Sequence, residues 1–323
     1  MGVNVSVVAV DAGNSKTDVA LIGEDGTVLS TARGGGFQPP LVGVEAALDV
    51  LAGALDEAFA ALPGPVGSVG HISACLANAD LPVEEAELAE ALETRGWGAS
   101  VQVRNDTFAI LRAGVDEPRG VAVVCGAGIN CVGMVPDGRT ARFPAIGRIS
   151  GDWGGGAGLA EEALWFAARA EDGRGKPTEL ARALPGHFGL DSMYALIEAL
   201  HRGTIPLTRR HELTPVLFAT AVAGDPVAAA LVERLAQEVV AMASVALTRL
   251  GLLEEAPVLL GGSVLAARHP QLNDRITELL AARAPKAVVR VVSEPPVLGA
   301  ALLGLDVTGA APEVYRRLRA QYA

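Results

Sequence analysis

The sequence predicts an α/β protein made of two similar halves. Three observations carry this. One pattern of strand, glycine turn, strand, Asp-Gly turn and strand occurs twice. Each copy leads into amphipathic helices that alternate with short apolar strands. A chain of 323 residues also exceeds the usual size of a single hydrophobic core, which favours two domains with a ligand cleft between them.

The first copy of the pattern runs Val7 to Gly13, then Thr17 to Ile22, the turn Glu24-Asp25-Gly26, and Thr27 to Ala32. The second runs Val121 to Gly128, then Ile129 to Val135, the turn Pro136-Asp137-Gly138, and Arg139 to Phe143. Both Asp-Gly pairs are hairpin signals, because Gly accepts positive φ at little cost. After the first copy a helix is expected over Val44 to Leu62, a strand over Ser68 to Cys75, and a helix opened by Pro82 and ending at Arg95. A strand from Val101 to Arg104 then delivers Asn105 and Asp106 to the start of a helix over Thr107 to Arg112. The segment Gly114 to Gly120, with Pro118, reads as a linker, dividing the chain into domains 1–117 and 118–323. Beyond the second copy helices are expected over Ala157–Glu171, Leu190–Arg202, Leu213–Ala223, Val227–Leu252, Gln271–Ala284, Val297–Leu305 and Glu313–Tyr322. Strands Pro257–Leu260 and Ala287–Val292 interrupt them.

Composition excludes several functions. A net charge of -11 without a Lys/Arg run argues against nucleic acid as a partner. The longest apolar stretch, Val239 to Leu253, contains Arg249 and is too short to span a bilayer. Val3 to Val10 runs straight into Asp11 without the basic flank and cleavage site of a signal peptide, so a cytoplasmic location is expected. Cys75, Cys125 and Cys131 form no Cys-x-x-Cys pair and suit buried strand positions. The five histidines are scattered, with no pair at ligand spacing.

The chemistry concentrates at the two glycine turns. Backbone N–H groups of tight turns form concavities that hold anions, and two facing turns suit the phosphates of ATP. The first turn offers Gly13 and Asn14, the hydroxyls of Ser15 and Thr17, and the cation of Lys16. Asp11, at the end of its strand, would face Mg2+ through water, since magnesium gives up its hydration reluctantly. The second turn, Gly126-Ala127-Gly128, offers the same backbone donors. A single Gly turn of this kind is ordinarily a plain hairpin; the duplication is what favours a phosphate clamp. Neither the P-loop Gly-x-x-x-x-Gly-Lys-Ser/Thr nor the dinucleotide-binding Gly-x-Gly-x-x-Gly is present.

The segments Asp11 to Thr17, Asn105-Asp106, Gly126 to Cys131, Gly151-Asp152 and Gly261-Gly262-Ser263, in that order, resemble the N-acetylglucosamine kinase family within the BadF/BadG/BcrA/BcrD ATPase group. The resemblance runs from about Val7 to about Leu305. It implies an actin-like ATPase (ribonuclease H-like) fold, duplicated as two domains with mixed five-stranded sheets. ATP and sugar would meet at the interdomain cleft, and the C-terminal domain would carry a homodimer contact. By the same resemblance Asp106 is the catalytic base and Gly261, Gly262 and Ser263 the turn beside adenosine. Asn105, Asp106, Asn130, Gly151 and Asp152 are sugar ligands.

Phosphoryl transfer supports the reading of Asp106 independently, because it needs a carboxylate to accept the proton of the acceptor hydroxyl. Helix capping is the competing role for Asn105, Asp106 and Asp152. Trp153 would wall one side of the sugar site by stacking, although a lone tryptophan usually serves packing. The expected substrate is an amino sugar, N-acetylglucosamine at its 6-hydroxyl. The chain departs from the family's Gly-Gly-Trp-Gly stretch at Pro144-Ala145-Ile146-Gly147, and in the loop Gly34 to Pro40 Gln38 stands in place of a sugar-binding asparagine. Glucosamine or another hexose is therefore an alternative substrate. Two further alternatives are an ATPase that activates a partner redox enzyme and a sugar sensor without catalysis. The first would require exposed cysteines.

Overall fold

A computed structural model describes residues 2–323; residue 1, at the start of the expected N-terminal domain, lies outside them. The chain forms two compact units. Of the described residues, the first comprises 2–122, Val132–Pro144 and Val292–Ala323, and the second Val123–Cys131 and Ala145–Val291.

In chain order the first elements are β1 (Val3–Ala12), β2 (Thr17–Ile22), β3 (Val28–Gly34), α1 (Pro39–Val42), α2 (Val44–Ala60) and β4 (Val66–Leu76). They are followed by α3 (Pro82–Thr94), β5 (Val101–Asn105), α4 (Thr107–Ala113), β6 (Gly120–Cys125), β7 (Ile129–Met134) and β8 (Thr140–Arg142). The helical stretch comprises α5 (Gly155–Glu171), α6 (Leu180–His187), α7 (Met193–His201), α8 (Leu213–Val222) and α9 (Pro226–Leu250). The chain ends with β9 (Pro257–Gly261), α10 (Gly262–Ala266), α11 (Pro270–Ala281), β10 (Val288–Val291), α12 (Pro296–Thr308) and α13 (Pro312–Ala320). No single described helix is long and apolar enough to cross a membrane.

Two five-stranded sheets result, with strand orders β3-β2-β1-β4-β5 and β10-β9-β6-β7-β8. The mixed character expected for the first sheet is present: β1, β2 and β3 pair antiparallel, while β4 and β5 run parallel to β1. The registers Ala12↔Leu76 and Leu76↔Asn105 align the carboxyl ends of three parallel strands. The loops after β1, β4 and β5 therefore leave the sheet at one edge, which is where open α/β sheets bind ligands.

Period-two alternation covers this sheet on both faces. Val8, Val10, Ile72 and Ala74 join a core with Leu48, Leu51 and Leu55 of α2 and Leu88 and Leu92 of α3. Their neighbours turn the other way, toward α12, where the Ser73 hydroxyl donates to the carbonyl of Ala300 at 2.7 Å. Helix α12 is buried from Val297 to Leu305, and α4 packs against it. Arg112 of α4, 1% exposed, donates to both carboxylate oxygens of Asp306 at 2.8 and 3.1 Å and to the Val115 carbonyl at 2.9 Å. A buried guanidinium needs this full set of partners, because any unpaired charge in the interior carries a large desolvation cost.

In the second unit α9 begins where Asp225 accepts the amides of Val227 and Ala228, with Pro226 at the first helical position. The same carboxylate accepts the Thr178 hydroxyl and the Glu179 amide, which fixes the start of α6. Helix α6 lies outside the sequence-based expectations because Pro185 and Gly186 interrupt its pattern.

Gly299 marks the closest approach of α12 to α4, since a Cβ there would lie 1.8 Å from the Ala109 carbonyl oxygen. Gly299→Ala is expected to lower stability by about 1–3 kcal/mol in thermal denaturation, the usual cost of overpacking. Gly53→Ala, in the exposed interior of α2 with no atom within 4 Å of the new Cβ, should instead raise it by about 0.5–1 kcal/mol.

Candidate active site

The loop after β1 is a tight hairpin in which the Gly13 amide donates to the Lys16 carbonyl at 2.9 Å. Among the described residues the amides of Asn14, Ser15 and Lys16 have no protein acceptor, and all three residues are exposed. Such a turn presents its backbone donors to an incoming anion. Two of its side chains are committed within the unit. The Thr17 hydroxyl donates to the Gly35 carbonyl at 2.8 Å, and the Lys16 ammonium pairs with Asp18 at 2.6 Å. Asp18 also pairs with Arg33, so Lys16 is one of two cations on one carboxylate.

The hairpin is buttressed from two sides. Phe37, fully buried, donates its amide to the Gly13 carbonyl at 2.9 Å. Gln38 donates from its side chain to the Asn14 carbonyl at 2.5 Å, so it braces the hairpin where the sequence suggested a sugar contact. Asn78 donates to the Asn14 side chain at 3.0 Å and to the Phe37 carbonyl at 3.2 Å. It holds φ at 62°, a left-handed conformation that asparagine tolerates better than most residues. Sequence reasoning missed Asn78, and its only signal was an Asn at a strand end.

The other two loops at this sheet edge carry acids. Asn105 is 2% exposed; its side chain donates to Asp80 at 2.9 Å and accepts the Thr107 amide at 3.0 Å. Its own amide donates to Glu85 at 2.8 Å, and Glu85 pairs with Arg142 at 2.6 Å. The capping function expected of Asn105 or Asp106 thus falls to Asn105. Asp106 follows in α-helical conformation without a side-chain capping bond and keeps part of its surface open. Asp80, also missed by sequence reasoning, belongs to the same set through Asn105.

Three carboxyls at this edge are raised above the ordinary aspartate value. Burial, then the charges of Asp106 and Asp18, push Asp11 up to about 7, against the opposing pull of Lys16. Burial and the neighbouring Asp106 push Asp80 to about 7. Burial raises Asp106 to about 6, with hydrogen bonds from Thr107 acting in the opposite direction. Perturbed carboxyls gathered in one place are a mark of functional sites.

The second hairpin repeats the first. The Gly126 amide closes the turn on the Gly128 carbonyl at 3.0 Å, which leaves the exposed Ala127 and Gly128 outermost. The start of α5 packs directly on it. The Gly156 and Ala157 amides donate to the Gly126 and Ala127 carbonyls at 2.7 and 3.1 Å. Gly155 sits at φ +72°, and a Cβ there would lie 2.5 Å from the Ala127 carbonyl oxygen, so only glycine allows this approach. Asn130, partly exposed, accepts the Cys131 amide at 2.7 Å.

Asp152 ends a single 3₁₀ turn, Gly147–Ser150, followed by Gly151 at φ +85°. One carboxylate oxygen accepts the Gly147 amide at 3.0 Å and the Ser150 hydroxyl at 2.5 Å. The other has no protein donor among the described residues. Asp152, Ala127, Gly128, Ala145 and Trp153 line one cavity of about 240 Å³, so the second hairpin and Asp152 face the same space. Gly261 ends β9, and Gly262 and Ser263 open α10. Gly262 lies so close to the end of β6 that a Cβ would sit 2.5 Å from the Cys125 carbonyl.

Cys75, Cys125 and Cys131 are all buried, and burial raises each thiol, that of Cys125 to about 12. None presents a thiolate at the surface, as a redox partner ATPase would require.

Two mixed five-stranded sheets, each with a glycine hairpin at its first turn, define an actin-like α/β ATPase fold. The chain belongs to the BadF/BadG/BcrA/BcrD ATPase family, whose sequence profile matches residues 8–304. It is 24% identical over 297 residues to the N-acetylmuramic acid/N-acetylglucosamine kinase of Clostridium acetobutylicum, covering 92% of this chain and 97% of that protein. The structure of a proposed N-acetylglucosamine kinase from Chromobacterium violaceum superimposes with a TM-score of 0.70 at 26% identity, covering 92% of this chain and 98% of that one. A ROK family glucokinase from Streptomyces griseus, solved with glucose and AMPPNP, shares the fold at a TM-score of 0.52 and 17% identity, with 92% and 98% covered.

The raised carboxyls have a consequence for stability. A carboxyl whose folded pKa exceeds its unfolded value near 3.8 binds the extra proton in the folded state, so its contribution to stability declines as pH rises from about 4 to 7. Asp80→Asn keeps an acceptor for Asn105 and removes that charge. In thermal denaturation of the ligand-free protein it is expected to raise Tm at pH 8 by about 2 °C or more and to leave Tm at pH 4 unchanged. An equal effect at both pH values would refute the electrostatic origin.

Proposed function

We propose that this protein is a kinase that transfers the γ-phosphoryl group of Mg-ATP to a hydroxyl of an amino sugar, N-acetylglucosamine at its 6-hydroxyl. The observation that carries the proposal is the placement of Asp106 and the Asn14–Lys16 amides on loops leaving one edge of the first sheet. A phosphate cradle and a carboxylate of adjusted basicity are the two parts that phosphoryl transfer asks of a protein. The named activities of the similar proteins support the same choice of substrate class.

In this reading the Asn14, Ser15 and Lys16 amides hold phosphate oxygens, and the Ala127 and Gly128 amides of the second hairpin are donors of the same kind. Asp106 accepts the proton of the sugar hydroxyl as its oxygen bonds to the γ-phosphorus. The bond between that phosphorus and the β–γ bridging oxygen breaks, and ADP leaves. A pKa of about 6 leaves Asp106 mostly ionised near neutrality while keeping it more basic than an exposed aspartate. Asn105, beside Asp106 at the end of β5, would be a sugar contact. Asp152 offers its unpaired carboxylate oxygen to vicinal sugar hydroxyls, with Gly151 shaping its turn and Asn130 on the strand beyond the hairpin. Gly261, Gly262 and Ser263 border the adenosine.

The donor set suits magnesium. Asp11 supplies carboxylate oxygens, the ligand type Mg2+ prefers, and its crowding by Asp106 and Asp18 is a repulsion that a divalent cation offsets. Mg2+ would supply charge neutralisation on the phosphates. The protein would work in the cytoplasm, where ATP is supplied, as a homodimer.

ATP consumption measured against a panel of hexoses and hexosamines tests the proposal. N-acetylglucosamine is expected to stimulate turnover most, and Asp106→Asn to reduce kcat by about 10²-fold or more while the protein remains folded. Turnover that no sugar stimulates, or full activity in the variant, would overturn it. Equal stimulation by glucosamine would show that Ala145 and Ile146 build no acetamido site. For the wild type, kcat/KM is expected to fall about tenfold per pH unit below an apparent pKa near 6, the sign required of a base that must be ionised.

A further inference from the structure

A second cavity in the Ala145–Val291 part of the chain lies between α5 and the start of α9, where Pro226 and Val227 line it. Its volume is about 730 Å³, within the range of small-molecule sites. The floor is apolar, with Phe166 and Leu231 among its residues, and Trp165 stands at the wall 53% exposed. An exposed tryptophan is costly to leave in water and favourable to cover. This one is held in place, with the Phe166 ring edge-on at 4.7 Å and the Arg169 guanidinium over it at 4.6 Å.

The rim is cationic. Arg169, Arg174, Lys176 and Arg234 line the cavity, and no carboxylate does, in a chain whose net charge is -11. Arg174 is neutralised by Asp172 at 2.5 Å. Lys176 and Arg234 are in no ion pair among the described residues; the contact of Arg234 is with the face of Trp153, 4.1 Å from the ring centre. Two uncompensated cations beside an exposed indole make a site that lacks a negative charge and an apolar ring.

We infer that this cavity binds a small amphipathic anion, an aromatic or other planar apolar body carrying one sulfonate, phosphate or carboxylate group. The ring covers Trp165 and rests on Phe166 and Leu231, while the anionic group lies between Lys176 and Arg234. Charge-assisted bonds from these two side chains supply orientation, and the apolar floor supplies affinity.

The probe that tests this is 8-anilinonaphthalene-1-sulfonate, titrated into the full-length protein and followed by its fluorescence and by calorimetry. One saturable site is expected. Its Kd should rise about tenfold or more in the double variant Lys176→Gln/Arg234→Gln, in line with the loss of two charge-assisted contacts, and also in Trp165→Ala. The uncharged analogue N-phenyl-1-naphthylamine should bind about tenfold more weakly or worse. These substitutions sit at the exposed cavity rim, and unchanged Tm values would show that each variant is folded. Equal Kd values in wild type and variants would overturn the inference. So would equal binding of the uncharged analogue, displacement of the probe by ADP, or a variant-dependent change in sedimentation, which would make the cavity a contact between copies of the chain.

Discussion

The first unit is organised around a repulsion. Asp11, Asp80 and Asp106 stand at one edge of one sheet, each raised by burial and each facing at least one other negative group. Such an arrangement weakens a fold unless the surrounding structure over-determines it. Here it does. The registers of β1, β4 and β5 end level with one another, and Asn105 ties Asp80 to the start of α4. Behind that edge α12 fills the far face of the sheet and meets α4 at backbone distance at Gly299. The acids are held by packing several residues away from them.

The same economy appears in the two hairpins. In each, the first glycine of the turn spends its amide on closing the turn, on Lys16 in one case and Gly128 in the other, and the next amides face outward. Lys16 and Thr17 look from the sequence like the chemically active members of the first loop. In the structure the Lys16 ammonium pairs with Asp18 and the Thr17 hydroxyl donates to the Gly35 carbonyl. Among the described residues the donors left without a protein acceptor include the backbone amides of Asn14, Ser15 and Lys16, which are fixed in place and keep their polarity at any pH. The hairpins differ in what supports them. The first leans on Phe37, Gln38 and Asn78, and the second on the opening turn of α5.

Much of the fold was legible in the chain. The duplicated strand and turn pattern, the helices opened by Pro82 and Pro226, and the strand ending at Asn105 all appear within a few residues of expectation, because local periodicity and capping chemistry fix them. The helix α6 was not legible, since Pro185 and Gly186 mask its period and Asp225, forty-five residues beyond its first residue Leu180, fixes its start. Of the site, the residue types at Asp11, Asp106, Asp152 and the two turns were readable from motif and order. Asn78 and Asp80 were not, because a single Asn or Asp after a strand has no pattern of its own.

The sequence by itself determined where strands end and turns begin, and therefore which residues lie at the carboxyl edge of the first sheet. Hydrophobic alternation and glycine placement act over a few residues, so a linear reading captures them. Tertiary structure alone decided which of those residues are free to act. Thr17, Gln38 and Asn105 each hydrogen-bond to partners 18, 24 and 25 residues away, whereas Asp106 keeps an open surface and Asp152 an unpaired oxygen. A polar group's availability depends on what the folded chain brings within 3 Å of it, and that proximity is set by packing across the sheet rather than by order along the chain.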